Sequence, residues 1–310
     1  MRIRRIVQLV SAGYIVFIGL RFVLYINALK AGDMSLSKPG GVEGFLPISA
    51  LLGLKQLIFT GQYDAVHAAG LTIFLTVVIM SIVLKKSFCS HICPVGLASE
   101  IISNTGKKLR IPPFIPVWVL KYLLLGFFIY ITFLAMDLLS VQAFIRSPYN
   151  MIADYKMLRF FTPPSSTTVA VVAALILLTL VFRGFWCKYL CPYGALLGLV
   201  SILSPSKIKR DSAKCIDCRK CGEVCPAFVR VYEKSTVYNP DCTGCHDCID
   251  ICPVENCLKS GKIKHNKYFA LLPVLIFLLL IGLAMLAGLW ETSVSNEEYR
   301  YFMYKPISHP

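Results

Sequence analysis

The sequence predicts a mainly α protein: five membrane-spanning helices, built partly on an internal repeat, with a small cysteine-rich α+β module on one side. Three observations lead there. Of the 310 residues 56% are apolar and only 16% are charged, against about 25% in a soluble domain. The net charge is nevertheless +15, which suits nucleic acid, anionic lipid or the loop bias of a membrane protein. The 13 cysteines have spacings that read as metal ligands.

Five apolar stretches approach the roughly 20 helical residues that cross a hydrocarbon core. They are residues 6–28, 66–84, 114–139, 167–182 and 268–290. The fourth is the shortest and is expected to extend into its flanks or to sit in a locally thinned bilayer. Met1-Arg-Ile-Arg-Arg5 resembles the charged start of a signal peptide, but the apolar run is too long and lacks a small-residue exit, so it is expected to stay attached. Most basic residues fall on the side of the N-terminus, including Lys85, Lys86, Lys107, Lys108, Arg110, Lys207, Lys209 and Arg210. The positive-inside rule then predicts the N-terminus inside and the C-terminus outside. This bias accounts for the charge without nucleic acid.

The repeat lies just past the inner ends of the second and fourth spans. Lys86-Ser-Phe-Cys89-Ser-His-Ile-Cys93-Pro-Val-Gly96 aligns with Gly184-Phe-Trp-Cys187-Lys-Tyr-Leu-Cys191-Pro-Tyr-Gly194. Each copy is read as helix, outer loop, helix and inner cysteine turn. The segments after the turns, 95–102 and 193–203, are too short to span and are expected to lie along the inner interface. Between the first two spans, residues 42–61 are apolar but interrupted by Pro47 and Gly53, which favours an interfacial or re-entrant helix. It is either a wall for a lipid-soluble ligand or a packing helix.

The domain reading is therefore a membrane domain over 1–203 with four spans and both turns, a cytoplasmic module over 204–266, a fifth helix over 267–290 and an outer tail over 291–310. The module carries two C-x2-C-x2-C-x3-C-P runs: Cys215, Cys218, Cys221, Cys225 and Pro226, then Cys242, Cys245, Cys248, Cys252 and Pro253. Three thiolates on one tight loop can hold three corners of an iron–sulfur cube. Zinc prefers two pairs with a longer gap, and disulfides are disfavoured in a reducing compartment. The runs resemble bacterial two-cluster ferredoxins, in which the fourth ligand comes from the other run. That resemblance implies two 4Fe-4S clusters, one on Cys215, Cys218, Cys221 and Cys252, the other on Cys242, Cys245, Cys248 and Cys225.

Cys242-Thr-Gly-Cys245-His246 also matches the c-type haem attachment pattern, but its cysteines are taken by the ferredoxin pattern and His246 is read as a polar neighbour. Cys257 is left over and is read as a small buried residue. If the two repeat copies pack together, Cys89, Cys93, Cys187 and Cys191 converge as a ligand set for a third iron–sulfur cluster. A zinc site, a reversible thiol pair or two separate sites remain open. His91, whose repeat partner is Tyr189, is read as a hydrogen-bonding neighbour. A b-type haem is hard to build, because His67 alone lies in or beside a span away from the turns.

Two Cys-x-x-x-Cys-Pro turns after membrane helices, followed by a double ferredoxin run, resemble one membrane family over roughly residues 60–260. It includes the NapH quinol-oxidising subunits, the C-terminal half of NosR-type proteins and CcoG-type copper reductases, and the NapH type is nearest. The chain lacks room for the large outer domain of the NosR type and the C-terminal domain of the CcoG type. The resemblance implies a prokaryotic plasma-membrane oxidoreductase subunit that relays electrons between quinone or quinol and partner redox subunits. Copper or iron ion reduction, or redox sensing and assembly, are the competing functions. Polar groups near the outer loops available to a quinone are Glu43, Lys55, Asp64, His67 and Arg146. Arg21 is an intramembrane charge, either functional or snorkelling outward.

Overall fold

The computed structural model describes residues 2–105, 117–261 and 268–305. Lys107, Lys108, Arg110 and the start of the third expected span lie outside the described residues. The chain is mainly helical. Helix α1 runs over Arg2–Ala31; a 3-10 turn at Gly40–Phe45 leads to α2, Pro47–Thr60, and then to α3, Ala68–Leu84. Pro47 opens α2 with a preset φ, and Gly61, at φ 71°, closes it in the left-handed conformation. The first cysteine turn is the short α4, Ser87–His91, followed by α5, Pro94–Thr105.

Helix α6, Leu120–Ile129, continues as a π-helical turn over Tyr130–Ala135. The chain then bends by 108° into α7, Leu138–Ile145. Asp137 restarts the helix by accepting from the Ser140 amide at 3.2 Å. Two shorter helices follow, α8 at Pro148–Met151 and α9 at Ala153–Phe161, before α10, Ser166–Val181. The second cysteine turn is π-helical over Trp186–Leu190 and leads into α11, Pro192–Val200. The module contributes β1, Ile208–Arg210, α12, Lys220–Glu223, α13, Asp247–Asp250, and β2, Leu258–Ser260. Its two strands pair antiparallel, Ile208 opposite Ser260. Helix α14, Leu272–Leu286, and α15, Asn296–Tyr304, end the described chain.

Among the described residues two helices are long and apolar enough to cross a membrane, Ile3–Ala31 and Phe269–Leu286, or three if the bent pair Leu120–Ala135 and Leu138–Ile145 is one span. Five full-length spans were expected. Helix α3 has 17 residues and α10 has 16, which at about 1.5 Å per residue fall short of a ~30 Å core. The third expected span is broken because the apolar run through residue 139 conceals the restart at Asp137.

The chain divides into two compact units, and every boundary between them falls inside one of α1, α3, α6, α10 and α14. The first unit, residues 1–13, 77–125 and 174–279, contains both cysteine turns and the module. The module core gathers Ile208, Val229, Val231, Val237 and Leu258 with Cys225, Cys242 and Cys248. The second unit, residues 14–76, 126–173 and 280–310, has a core of Phe22, Tyr25, Ile26, Leu29, Ile152, Tyr155 and Tyr299.

Candidate metal centres

The two runs of the module fold alike. Asp217 and Gly244, equivalent positions between the first two cysteines of each run, have φ 50° and 63°. Arg219 and His246, again equivalent, have φ 58° and 63° and precede α12 and α13. Left-handed residues at these places curl each loop so that its thiols face inward. Gly244 is held to glycine twice over, since a Cβ there would lie 2.6 Å from the Leu84 carbonyl oxygen.

Each loop closes on a cavity lined by cysteines of both runs. One is lined by Cys215, Cys218, Cys221 and Cys252 together with Arg210, Ile216, Arg219, Lys220 and Cys257. The other is lined by Cys225, Cys242, Cys245 and Cys248 together with Thr243 and His246. In both, the last cysteine of a run joins the first three of the other run. Cys257, read as a bystander in the sequence, stands against the first cavity; its Sγ donates to the Asp211 carbonyl at 3.7 Å.

The four turn cysteines also come together within the first unit. Burial pushes the Cys89 thiol well up, and Cys93, Cys191 and Cys187 add to the effect. Cys187 is pushed up to about 12 by burial and by the Cys93 and Cys191 sulfurs. The two copies are interlocked: Ser99 of the first hydrogen-bonds Cys187 of the second, and the Gly184 amide donates to Ser103 Oγ at 2.9 Å.

The donor chemistry fits iron–sulfur clusters. A buried thiolate is costly unless positive charge or N–H donors meet it. Backbone amides are already aimed at the sulfurs: Gly194 N donates to Cys191 Sγ at 3.2 Å, Gly96 and Val95 to Cys93, and Val229, Ala227 and Phe228 to Cys225. Hydrogen bonds to sulfur of this kind also tune cluster potentials. Among the described residues no three His, Cys, Asp or Glu side chains are spaced to hold a single metal ion.

The turns and the module touch directly. Ser90 Oγ, between Cys89 and Cys93, donates to the Thr243 carbonyl, between Cys242 and Cys245, at 3.0 Å. Phe269 fills the same joint, stacked on His246 at 3.6 Å and edge-on to His91 at 6.3 Å. His91 Nδ1 lies 3.0 Å from the Ser87 carbonyl, and burial drives its pKa down to about 4, so it is a neutral neighbour. Three ion pairs absent from the sequence reading complete the joint. Asp241 pairs with Lys121 and, at 3.7 Å, with Lys86, and Asp247 pairs with Arg4 at 2.6 Å. Burial works to raise the Asp241 carboxyl, but Lys86 and Lys121 hold it below the usual range. Lys121, a charge inside an apolar helix, is the one member of this set with a sequence signal.

Of the residues considered for a quinone, the second unit brings three together. Glu43 Oε1 is 2.6 Å from Lys38 Nζ and 3.3 Å from His67 Nδ1, while Oε2 accepts from the Gly70 amide at 3.1 Å. His67 Nε2 lies 2.7 Å from the Asn150 carbonyl oxygen. Asp64 Oδ1 accepts the amides of Val66 and His67, and its buried Oδ2 has no hydrogen-bond partner. Lys38 extends the chain of charges to Asp154 at 3.2 Å, which accepts from the Tyr299 hydroxyl at 2.6 Å. Burial alone would lower His67 and raise Glu43, yet their contact leaves His67 above and, with Lys38, Glu43 below the usual value. Lys55 and Arg146 are not part of this group. Lys55 donates to the carbonyls of Thr132, Phe133 and Met136 at the helix break, and Arg146 is exposed at the end of α7. Arg21 is exposed on α1.

Comparison with known proteins agrees with this chemistry. A 4Fe-4S binding domain family matches twice, at residues 66–112 and 167–211, and a 4Fe-4S dicluster domain family matches residues 207–253. YccM of Escherichia coli (strain K12), named as a candidate electron transport protein, is 40% identical over 96% of this chain and 88% of its own length. The ferredoxin-type protein NapH of Haemophilus influenzae is 26% identical over 71% of this chain and 78% of its own. The regulatory protein NosR of Pseudomonas aeruginosa is 29% identical over 53% of this chain and 22% of its own. No solved structure matches.

Proposed function

The chain belongs to the NapH-like family of membrane iron–sulfur proteins, and from that premise we propose that it relays electrons between the quinone pool and a partner redox protein through three 4Fe-4S clusters. Cys215, Cys218, Cys221 and Cys252 would hold one, Cys242, Cys245, Cys248 and Cys225 the second, and Cys89, Cys93, Cys187 and Cys191 the third. The observation that carries this reading is the crossed grouping of the module cysteines around two cavities. When bound, such clusters supply one-electron chemistry at potentials set by charge, burial and hydrogen bonds to sulfur.

The residues around the sites support an order. The Ser90–Thr243 bond joins the turn pair to the second cavity, whereas exposed Cys218 lines the first. The turn pair is thus the membrane end of the relay and the first cavity its outlet to the partner. Helices α1 and α14 and the run Leu120–Ala135, with the shorter α3 and α10 crossing where the bilayer is locally thinned, are proposed as five spans in a prokaryotic plasma membrane, with the module over 204–266 and the N-terminus in the cytoplasm and the C-terminus outside. Glu43, Asp64 and His67 are the proposed polar contacts for quinone oxygens.

The test is anaerobic reconstitution with a menaquinol analogue, with cluster reduction followed by EPR. Quinol-dependent reduction is expected, and its absence with every coupling partner overturns the quinone role. Iron analysis should give about 12 atoms per chain for three four-iron clusters.

A further inference from the structure

The module is electrically lopsided. Residues 207–234, which carry the first run, hold eight basic and four acidic residues, whereas 235–261 hold one basic and four acidic. Two of the four acids of the second run pair at the inner ends of the helices, Asp241 with Lys86 and Lys121 and Asp247 with Arg4. Around the first cavity, Arg210 is matched by Asp217 at 3.8 Å and Lys214 by Asp211 at 3.9 Å. Among the described residues Arg219 and Lys220 have no ion-pair partner. Both are exposed, both line that cavity, and both lie between Cys218 and Cys221. Beside them Ile216 is 63% exposed.

We propose that this rim, Ile216, Arg219 and Lys220 around exposed Cys218, is the docking surface for a soluble electron carrier with an acidic face. The proposal rests on the reading of the first cavity as a cluster site and adds the class of partner. Complementary charge speeds encounter and fixes register more than it adds affinity, and arginine is enriched at protein–protein contacts. Unpaired charge of one sign beside exposed Cys218 is what steers an acidic partner to the outlet.

The test uses the full holoprotein in nanodiscs and an oxidised acidic flavodoxin as probe, with a basic cytochrome c in parallel. Binding is measured at about 20 and 300 mM salt, a range over which the Debye length falls severalfold. The flavodoxin is expected to bind at low salt, to weaken at least about tenfold at high salt, and to weaken at least about tenfold when Arg219→Glu and Lys220→Glu are combined. Binding is expressed per intact cluster, from iron content measured on the same variant. Lys305→Glu, a charge reversal in the other unit, should have no effect. Salt-independent binding, preference for the cytochrome, or equal loss with Lys305→Glu overturns the proposal. A loss confined to co-sedimentation with phosphatidylglycerol vesicles would assign the rim to lipid and also overturns it. Failure of the cluster reading would appear separately, as missing iron in the unmutated protein.

Discussion

Gly96 and Gly194 occupy the same place in the two repeat copies, yet the structure gives them different tolerance to a methyl group. A Cβ at Gly96 would stand 2.2 Å from the Cys89 carbonyl oxygen, while one at Gly194 would meet Cys191 Sγ at 3.5 Å and the Cys187 carbonyl oxygen at 3.6 Å. The first contact is impossible without moving backbone, and the second is ordinary van der Waals distance. Overpacking costs about 1–3 kcal/mol, and a clash with a carbonyl belongs at the upper end. Alanine returns about 1 kcal/mol of helix propensity at either site. Gly96→Ala is therefore expected to lose about 2 kcal/mol and Gly194→Ala to be neutral or gain about 1 kcal/mol. The difference of about 2–3 kcal/mol is roughly thirty- to a hundredfold in the population of the intact turn. Gly96 also carries an amide aimed at Cys93, so its displacement should release the turn cluster. After a chelator challenge, Gly96→Ala should retain about 8 irons per chain and Gly194→Ala about 12, counting four per cluster. Equal retention, or equal loss, in the two variants would refute the geometry of the first turn.

The remaining predictions are shorter. Cys252→Ser should lose about four irons while Cys257→Ser loses none; the reverse would make Cys257 the ligand at the first cavity. Lys55→Met should lower the melting temperature in detergent, because it leaves the buried Thr132 carbonyl at the helix break unsatisfied at about 1–3 kcal/mol; an unchanged melt refutes that role. His67 has its pKa raised in the folded protein, so its contact with Glu43 stabilises fully below the unfolded value of about 6.5 and is lost as pH rises through the folded value. The melting-temperature gap between the protein and His67→Gln should accordingly be widest below about pH 6.5 and should narrow on the alkaline side. A gap that widens with pH would contradict the sign.

What was legible in the sequence was local. Ligand spacing is a property of a few consecutive residues, so both module runs and both turns could be found, and the short helices after the turns fall where Pro94 and Pro192 open them. The buried charges of the second unit were only partly legible. Glu43 and His67 stood out as polar groups beside apolar stretches, but Lys38, Asp154 and Tyr299 are linked to one another across 116 and 145 positions, and Lys38 reaches Glu43 by a loop with no periodic pattern. The broken third helix was missed for a different reason. Residues 120–145 are apolar enough to read as one run, and Asp137, a favourable helix N-cap, was the sole mark of the restart.

The departures from symmetry in the repeat follow from what each turn must touch. In the first turn the two positions after the leading cysteine are Ser90 and His91, which meet Thr243 and Phe269. In the second they are Lys188 and Tyr189, and Lys188 lies 5.1 Å above the ring of Phe228, with Arg183 over the same ring at 3.9 Å. Thr243 sits between Cys242 and Cys245, and Phe228 follows Cys225 by three residues. Both turns therefore lean on segments that line or adjoin the second cavity, but on segments from different runs. Two equivalent turns docked on two non-equivalent segments cannot keep the same side chains, whereas their cysteines, which face one another, can. The crossed arrangement of the module thus accounts both for the four matched thiols and for the unmatched residues between them.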